Sequence, residues 1–111
     1  MNWTAITEES QLAEITEVSK TQPVLIFKHS TRCPISSSAL MRMQNGWKEE
    51  KAQNTKPYIL DLINHRNISM AIAEQFNVEH ESPQVLLIKD GKSVYNESHY
   101  GISFEDLETA L

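Results

Sequence analysis

The apolar stretch Val24-Leu25-Ile26-Phe27 runs within six residues into Arg32-Cys33-Pro34 and a helical pattern, and this junction limits the folds open to the chain. A continuous run of strand-forming residues describes a strand covered on both faces rather than one with a wet side. Proline is favoured at the first helical position, where its missing N–H would have no partner anyway. Beyond Pro34, residues Ile35, Ala39, Leu40, Met43 and Trp47 keep a helical period, and Gly46 weakens the far end without having to stop it. A buried strand passing through a short polar loop into a helix is the building unit of an α/β sheet.

The rest of the sequence continues the alternation. Residues 2–6 are expected to form a short first strand carrying Trp3. Thr7 is expected as an N-cap, with Glu8 and Glu9 in the first turn, where the helix dipole favours acids. Leu12, Ile15 and Val18 then predict an amphipathic helix over residues 8–20, ended by Gln22-Pro23. A strand follows at 57–62 and a polar turn at 64–67. Ile68, Ala71, Ile72 and Phe76 mark a short helix with Asn77 as a left-handed cap. Asp90-Gly91 between strand-like runs at 85–88 and 93–95 is a strong hairpin signal. Ser103, with Glu105 and Asp106 just after it, begins a C-terminal helix.

The order β-α-β-α-β-α-β-β-α predicts an α/β fold. Strands separated by helices become parallel neighbours through right-handed crossovers, and the last pair is antiparallel. A central mixed sheet of four to five strands flanked by helices on both faces follows. The 111 residues contain no repeat or linker and are expected to form one domain, residues 1–111.

The formal net charge of −5 argues against nucleic acid or an anionic membrane as a partner, since both require a basic surface. An anionic ligand would have to be held by a local cluster of cations. The first residues lack the basic and apolar regions of a signal peptide, and no apolar run approaches the ~18 residues of a membrane span. The single cysteine cannot close an internal disulfide, which suits a reducing cytoplasm. Any thiol chemistry must therefore be completed by a second molecule.

That cysteine occupies a chemically special place. Ligands of open α/β sheets gather at the carboxyl ends of the parallel strands, where Cys33 is expected. It would face unpaired helix N–H groups and the positive end of the dipole. Cysteines so placed have pKa values of roughly 3.5–7.5 instead of about 8.5. Arg32 would add in the same direction, Pro34 opens the helix, and Ser36 is expected to aim its hydroxyl at the sulfur. A cysteine belonging to the core would sit within the apolar periodicity, whereas this one lies in a polar loop. Ser82-Pro83 precedes the strand at 85–88, which runs antiparallel to the strand before Cys33, so the pair falls at the same end of the sheet.

The element order, a strand leading into Cys-Pro-Ile-Ser and a helix, and a proline before the hairpin resemble the thioredoxin superfamily. The segments Phe-Lys-His-Ser-Thr-Arg-Cys-Pro-Ile-Ser-Ser-Ser, Asn-His-Arg-Asn-Ile-Ser, His-Glu-Ser-Pro-Gln-Val-Leu-Leu-Ile-Lys-Asp-Gly-Lys and Ser-His-Tyr narrow the likeness. They resemble the YtxJ-type monothiol bacilliredoxins over nearly the whole chain. The resemblance implies that Cys33 is the nucleophile and that Ser82-Pro83 is a cis-proline site whose backbone docks the substrate thiol. It implies removal of bacillithiol from S-bacillithiolated proteins, with bacillithiol as co-substrate and no tightly bound cofactor. Asn67 stands where proline is expected in many relatives, which bears on how that helix begins.

Dithiol thioredoxins resolve a mixed disulfide with a second cysteine, and position 36 here is serine. Cys33 can take the small thiol from a mixed disulfide. A further low-molecular-weight thiol, or a separate reductase, must then release it. Bacillithiol carries a malate, so its carboxylates call for local cations. Arg32, Arg66, His29, His80 and His99 are the candidates, with Arg66 and one or two of the histidines expected to line the groove. His65 has a weaker case. His29 is the most informative of the histidines, because a charged ring there would favour the thiolate and a buried neutral one would not.

The four histidines and one cysteine fit no zinc spacing, so no metal is expected. Met41, Met43 and Trp47 are expected in the core, and Glu8, Glu9, Glu49 and Glu50 on solvated faces. Two other functions compete: a non-catalytic thioredoxin-fold binding or redox-sensor module, and an iron–sulfur carrier. The carriers usually present Cys-Gly-Phe-Ser, from which Pro34 departs.

Overall fold

In the computed structural model, which describes residues 1–111, the apolar run of the sequence lies at the centre of the sheet. It forms β2 (Val24–His29), between β3 (Lys56–Asp61) and β4 (Gln84–Lys89). With β1 (Thr4–Ala5) and β5 (Lys92–Ser98), the strand order is β1-β3-β2-β4-β5. β3 is parallel to both β1 and β2, while β4 is antiparallel to β2 and to β5. The expected mixed sheet is present, with five strands.

Side chains of a strand alternate between faces, and β2 sorts its residues accordingly. Val24 and Ile26 join Ile6, Leu60 and Leu86 under α1 (Gln11–Val18) and α3 (Arg66–Phe76), which contribute Ile15, Ile68 and Ile72. Leu25 and Phe27 join Val85 and Leu87 under α2 (Pro34–Gly46) and α4 (Phe104–Glu108), which contribute Ala39, Met43 and Leu107. Helices thus cover both faces. No helix is long and apolar enough to cross a membrane.

Several local features follow the expected chemistry. Asn77 ends α3 in the left-handed region at φ 53°, ψ 48°. Ser103 caps α4 by accepting the Asp106 N–H at 3.2 Å. Asp90 and Gly91 both have positive φ, 53° and 74°, as a tight hairpin turn requires. The turn is also clamped to the end of α1: the Asp90 N–H donates to the Ser19 carbonyl, and the Gly91 N–H to the Ser19 hydroxyl, each at 2.8 Å.

Other features depart from expectation for definite reasons. The first helix starts at Gln11, not at residue 8, and Thr7 is not its cap. The first helical N–H groups, of Gln11, Leu12 and Ala13, donate instead to the carbonyls of Glu8, Glu9 and Ser10, while the Gln11 side chain ties down the turn before the helix by accepting the Thr7 and Glu8 N–H groups at 2.7 and 2.9 Å. The first strand spans only Thr4–Ala5; Trp3 lies outside it, packed edge-on against Phe27 with its indole N–H on Gln44. Helix α2 stops at Gly46, with Trp47 as its C-cap packed at a tilt against Phe104. Met43 is buried but Met41 is 60% exposed. Two residues apart on a helix is about 200°, so both cannot face the core. The expected turn at 64–67 is shorter, because α3 begins at Arg66.

Candidate active site

Cys33 is the N-cap of α2, with Pro34 at the first helical position. Its backbone is extended, its N–H donates to the Ser30 carbonyl at 3.1 Å, and its own carbonyl accepts the Ser37 N–H at 3.1 Å. These bonds fix where the side chain leaves the chain. The thiol is free and half-exposed, and its sulfur makes no hydrogen bond. Pro34 and Arg32 beside it are exposed, and Arg32 forms no ion pair.

Ser36 does not turn toward the sulfur as the sequence suggested. It is fully buried, and its hydroxyl sits 2.6 Å from His29 Nδ1 while accepting the Ser30 N–H at 2.9 Å. One lone pair of the hydroxyl is taken by the Ser30 N–H, and its remaining hydrogen-bonding capacity is met by His29 Nδ1. Burial pushes the His29 pKa below its ordinary value, against the opposing pull of Asp61. His29 is therefore a neutral ring, the alternative that does not favour a thiolate. The position that holds the resolving cysteine in dithiol relatives is here given over to fixing the strand-to-helix loop.

On the other side of β2, the pairing Lys28↔Gln84 brings Pro83 level with His29 at the carboxyl end of the sheet. The Ser82–Pro83 peptide is cis. The Pro83 carbonyl accepts the His99 N–H at 3.1 Å, while the N–H and carbonyl of Ser82 have no backbone or side-chain partner. The Arg42 guanidinium of α2 donates to the carbonyls of His99 and Ile102, both at 3.0 Å. Those two residues bound the short 3₁₀ turn His99–Gly101. The helix that carries Cys33 and the loop that carries Pro83 are thereby joined. His99 also lies 4.0 Å from Glu81.

The remaining cations divide between the two faces. His80 lies with Arg66 at the start of α3, on the face opposite His29. Behind His80 is a residue that the sequence reading passed over. Lys28 is fully buried, with Nζ on the Ser69 carbonyl at 3.1 Å and 3.3 Å from His80 Nδ1. The period-two pattern of β2 was the available signal, since Val24, Ile26 and Lys28 share a face. Desolvation lowers the Lys28 pKa from 10.5 to about 8. Burial also lowers that of His80, with the Lys28 and Arg66 charges acting in the same direction and Glu81 against them.

A hollow of about 310 Å³ adjoins the Cys33 loop, lined by Thr7, His29, Thr31, Asp61 and His65 over Ile59. A larger one of about 530 Å³, around Arg42, Lys48, Lys51 and Glu105, lies more than two turns down α2 from the thiol and away from this chemistry.

A half-exposed thiol at a helix N-cap, four residues beyond the strand end that lies level with Pro83, suits thiol redox chemistry, and known proteins agree with a redox role. Residues 4–107 match the family model of monothiol bacilliredoxin BrxC. Among solved structures, the chain is similar to a protein assigned as a thioredoxin-fold oxidoreductase. The two are 30% identical, with a TM-score of 0.83, covering 96% of this chain and 91% of that one. The thioredoxin Mala s 13 of Malassezia sympodialis shares the fold at 14% identity and a TM-score of 0.75, covering 98% of this chain and 87% of that one. The thioredoxin of Fasciola hepatica does so at 16% identity and 0.70, covering 96% and 95%. The chain belongs to the monothiol bacilliredoxin family, whose fold is that of thioredoxin and whose chemistry is redox.

Proposed function

We propose that the protein removes bacillithiol from S-bacillithiolated proteins by monothiol disulfide exchange. The Cys33 thiolate attacks the bacillithiol sulfur of the mixed disulfide. A Cys33–bacillithiol disulfide forms, and the client leaves as its thiolate, which takes up a proton. A second bacillithiol, or a separate reductase, then attacks the bacillithiol sulfur on Cys33 and returns the enzyme thiolate. Bacillithiol is thus co-substrate rather than resident cofactor. The reaction belongs in a reducing compartment such as the cytoplasm.

The observation that carries this reading is the combination at α2: an accessible Cys33 with Ser36 already committed to His29. Such a site can form a mixed disulfide but cannot resolve one internally. The unpartnered backbone of Ser82 offers the client chain a place to pair, as edge backbone does in strand addition. Arg66 is the cation for the malate carboxylates, with the His80 ring beside it as a hydrogen-bond donor and His99 at the far rim. Arg32, exposed and unpaired, is left to favour the thiolate by charge.

The test is turnover. A bacillithiolated model protein should lose bacillithiol catalytically when free bacillithiol is supplied, and Cys33→Ala should abolish this while keeping the fold. Modification of Cys33 once, without turnover, would identify a sensor or binding module instead. Intact mass of the protein isolated from cells should find bacillithiol on Cys33.

A further inference from the structure

We propose that Lys28 is a positioning residue: from inside the sheet it holds the His80 ring with Nδ1 turned inward, so that Nε2–H faces the groove as a donor to a carboxylate of the small thiol. This rests on the function proposed above, and it adds a residue that touches no substrate.

Lys28 occupies a site where a lysine is unexpected. Its strand neighbours on the same face, Val24 and Ile26, are core residues, and Lys28 itself has no exposed surface. No carboxylate pairs with it; the ion pairs of the chain are Lys20–Glu17 and His99–Glu81. A buried ammonium with no counter-ion opposes folding, so its retention calls for a role. Its contacts supply one. An ammonium donates hydrogen bonds and has no lone pair to accept one. At 3.3 Å from Nζ, His80 Nδ1 must therefore be the acceptor, and the ring proton lies on Nε2. The Ser69 hydroxyl, 3.2 Å from the same nitrogen, adds a second inward tether.

The groups around the ring are Lys28 on β2, Arg66 and Ser69 on α3, and Glu81 in the loop before β4. Burial first, and then the charges of Lys28 and Arg66 against that of Glu81, keep the ring neutral, which makes it a fixed donor rather than a titrating charge. The ring is half-exposed and lies three residues before Pro83, and with Nδ1 tied to Lys28 and Ser69 it keeps Nε2, which has no partner in the protein, for a ligand. An imidazole so tethered binds a carboxylate with one directed hydrogen bond, beside the charge of Arg66.

The experiment uses the full chain labelled with ¹⁵N-histidine, and reads tautomers from two-bond nitrogen–proton spectra near pH 7. His80 of the wild type should be a single Nε2–H tautomer. In Lys28→Met it should become a mixture with an ordinary titration. In kinetics, Lys28→Met should raise KM for a bacillithiolated protein about tenfold with kcat retained, the loss of one well-placed hydrogen bond. KM for the same protein carrying cysteamine, which has no carboxylate, should stay put. His80→Gln, whose amide can stand in for Nε2–H, should retain more affinity than His80→Phe, which gives an answer even if Lys28→Met folds poorly. An unchanged tautomer in Lys28→Met, equal KM changes for both substrates, or equal effects of Gln and Phe would overturn the proposal. Wild-type protein inert towards bacillithiolated substrates would overturn the function itself, and with it the carboxylate's part. The tautomer spectra report Lys28's hold on the ring independently of that.

Discussion

Replacing Lys28 by methionine should make the protein more stable at neutral pH, although it removes two hydrogen bonds. The pKa of Lys28 falls from 10.5 to about 8 because the ammonium is desolvated. Read as a linkage, that fall corresponds to about 3 kcal/mol opposing the folded state while the group is charged. The contacts to Ser69 and His80 return about 1 kcal/mol each, and that return is what the variant loses. Methionine keeps an unbranched chain of similar length in the same slot. The net gain is about 1 kcal/mol, or roughly 4–8 °C in Tm for a domain of this size.

The pH dependence gives a sharper test. The folded pKa lies below the unfolded one, so between about 8 and 10.5 the unfolded chain holds more protons and wild-type stability rises with pH. By pH 9.5 the wild type should regain about 2 kcal/mol, reversing the order of the two proteins. Tyr95, whose pKa is raised by burial and by Asp106, acts in the opposite sense only above its ordinary value of 10, and it is common to both proteins. Urea unfolding at pH 7 and pH 9.5 decides the matter. A variant that is less stable at pH 7, or a stability difference that does not change with pH, would refute the reasoning.

Three further outcomes are expected. Ser36→Ala leaves the Ser30 N–H and His29 Nδ1 without their buried partner and should cost about 1–3 kcal/mol in urea unfolding; a neutral result would mean the loop is held by something else. His29 and His80 have folded pKa values below the ordinary 6.5, so the unfolded chain takes up protons first and stability should fall as the pH drops below about 6.5. Thermal melts should show that fall reduced in His29→Gln, and equal slopes for both proteins would count against it. Gly91→Ala should lose about 1 kcal/mol, since φ there is +74° and the new Cβ would lie 3.3 Å from Thr16 Cγ2, a cost readable from the same melts.

Local rules carried the fold a long way. Apolar runs, a proline at a helix start and an Asp-Gly turn are short-range signals, and β2, α2 and the β4–β5 hairpin followed from them. The start of α1 escaped because no side chain caps it: a tight backbone turn over Glu8, Glu9 and Ser10 takes the first N–H groups, and a turn of that kind leaves no cap residue to read. The place of Cys33 was legible, being set by the junction itself. The partner of Ser36 was not, because the loop folds His29 back onto a residue seven positions away. Lys28 was hidden by its chemistry: lysine reads as surface, and only the strand's alternation, weighed against that habit, puts it inside.

The guanidinium of Arg42 braces the helix that carries Cys33. One side chain spans from the helix of Cys33 to the backbone turn whose His99 N–H meets the Pro83 carbonyl, so three hydrogen bonds hold that helix and the Pro83 loop in a set relation. On the function proposed above, a site braced in this way would favour a client whose modified cysteine lies on a slender, mobile stretch of chain over one on a rigid, broad surface.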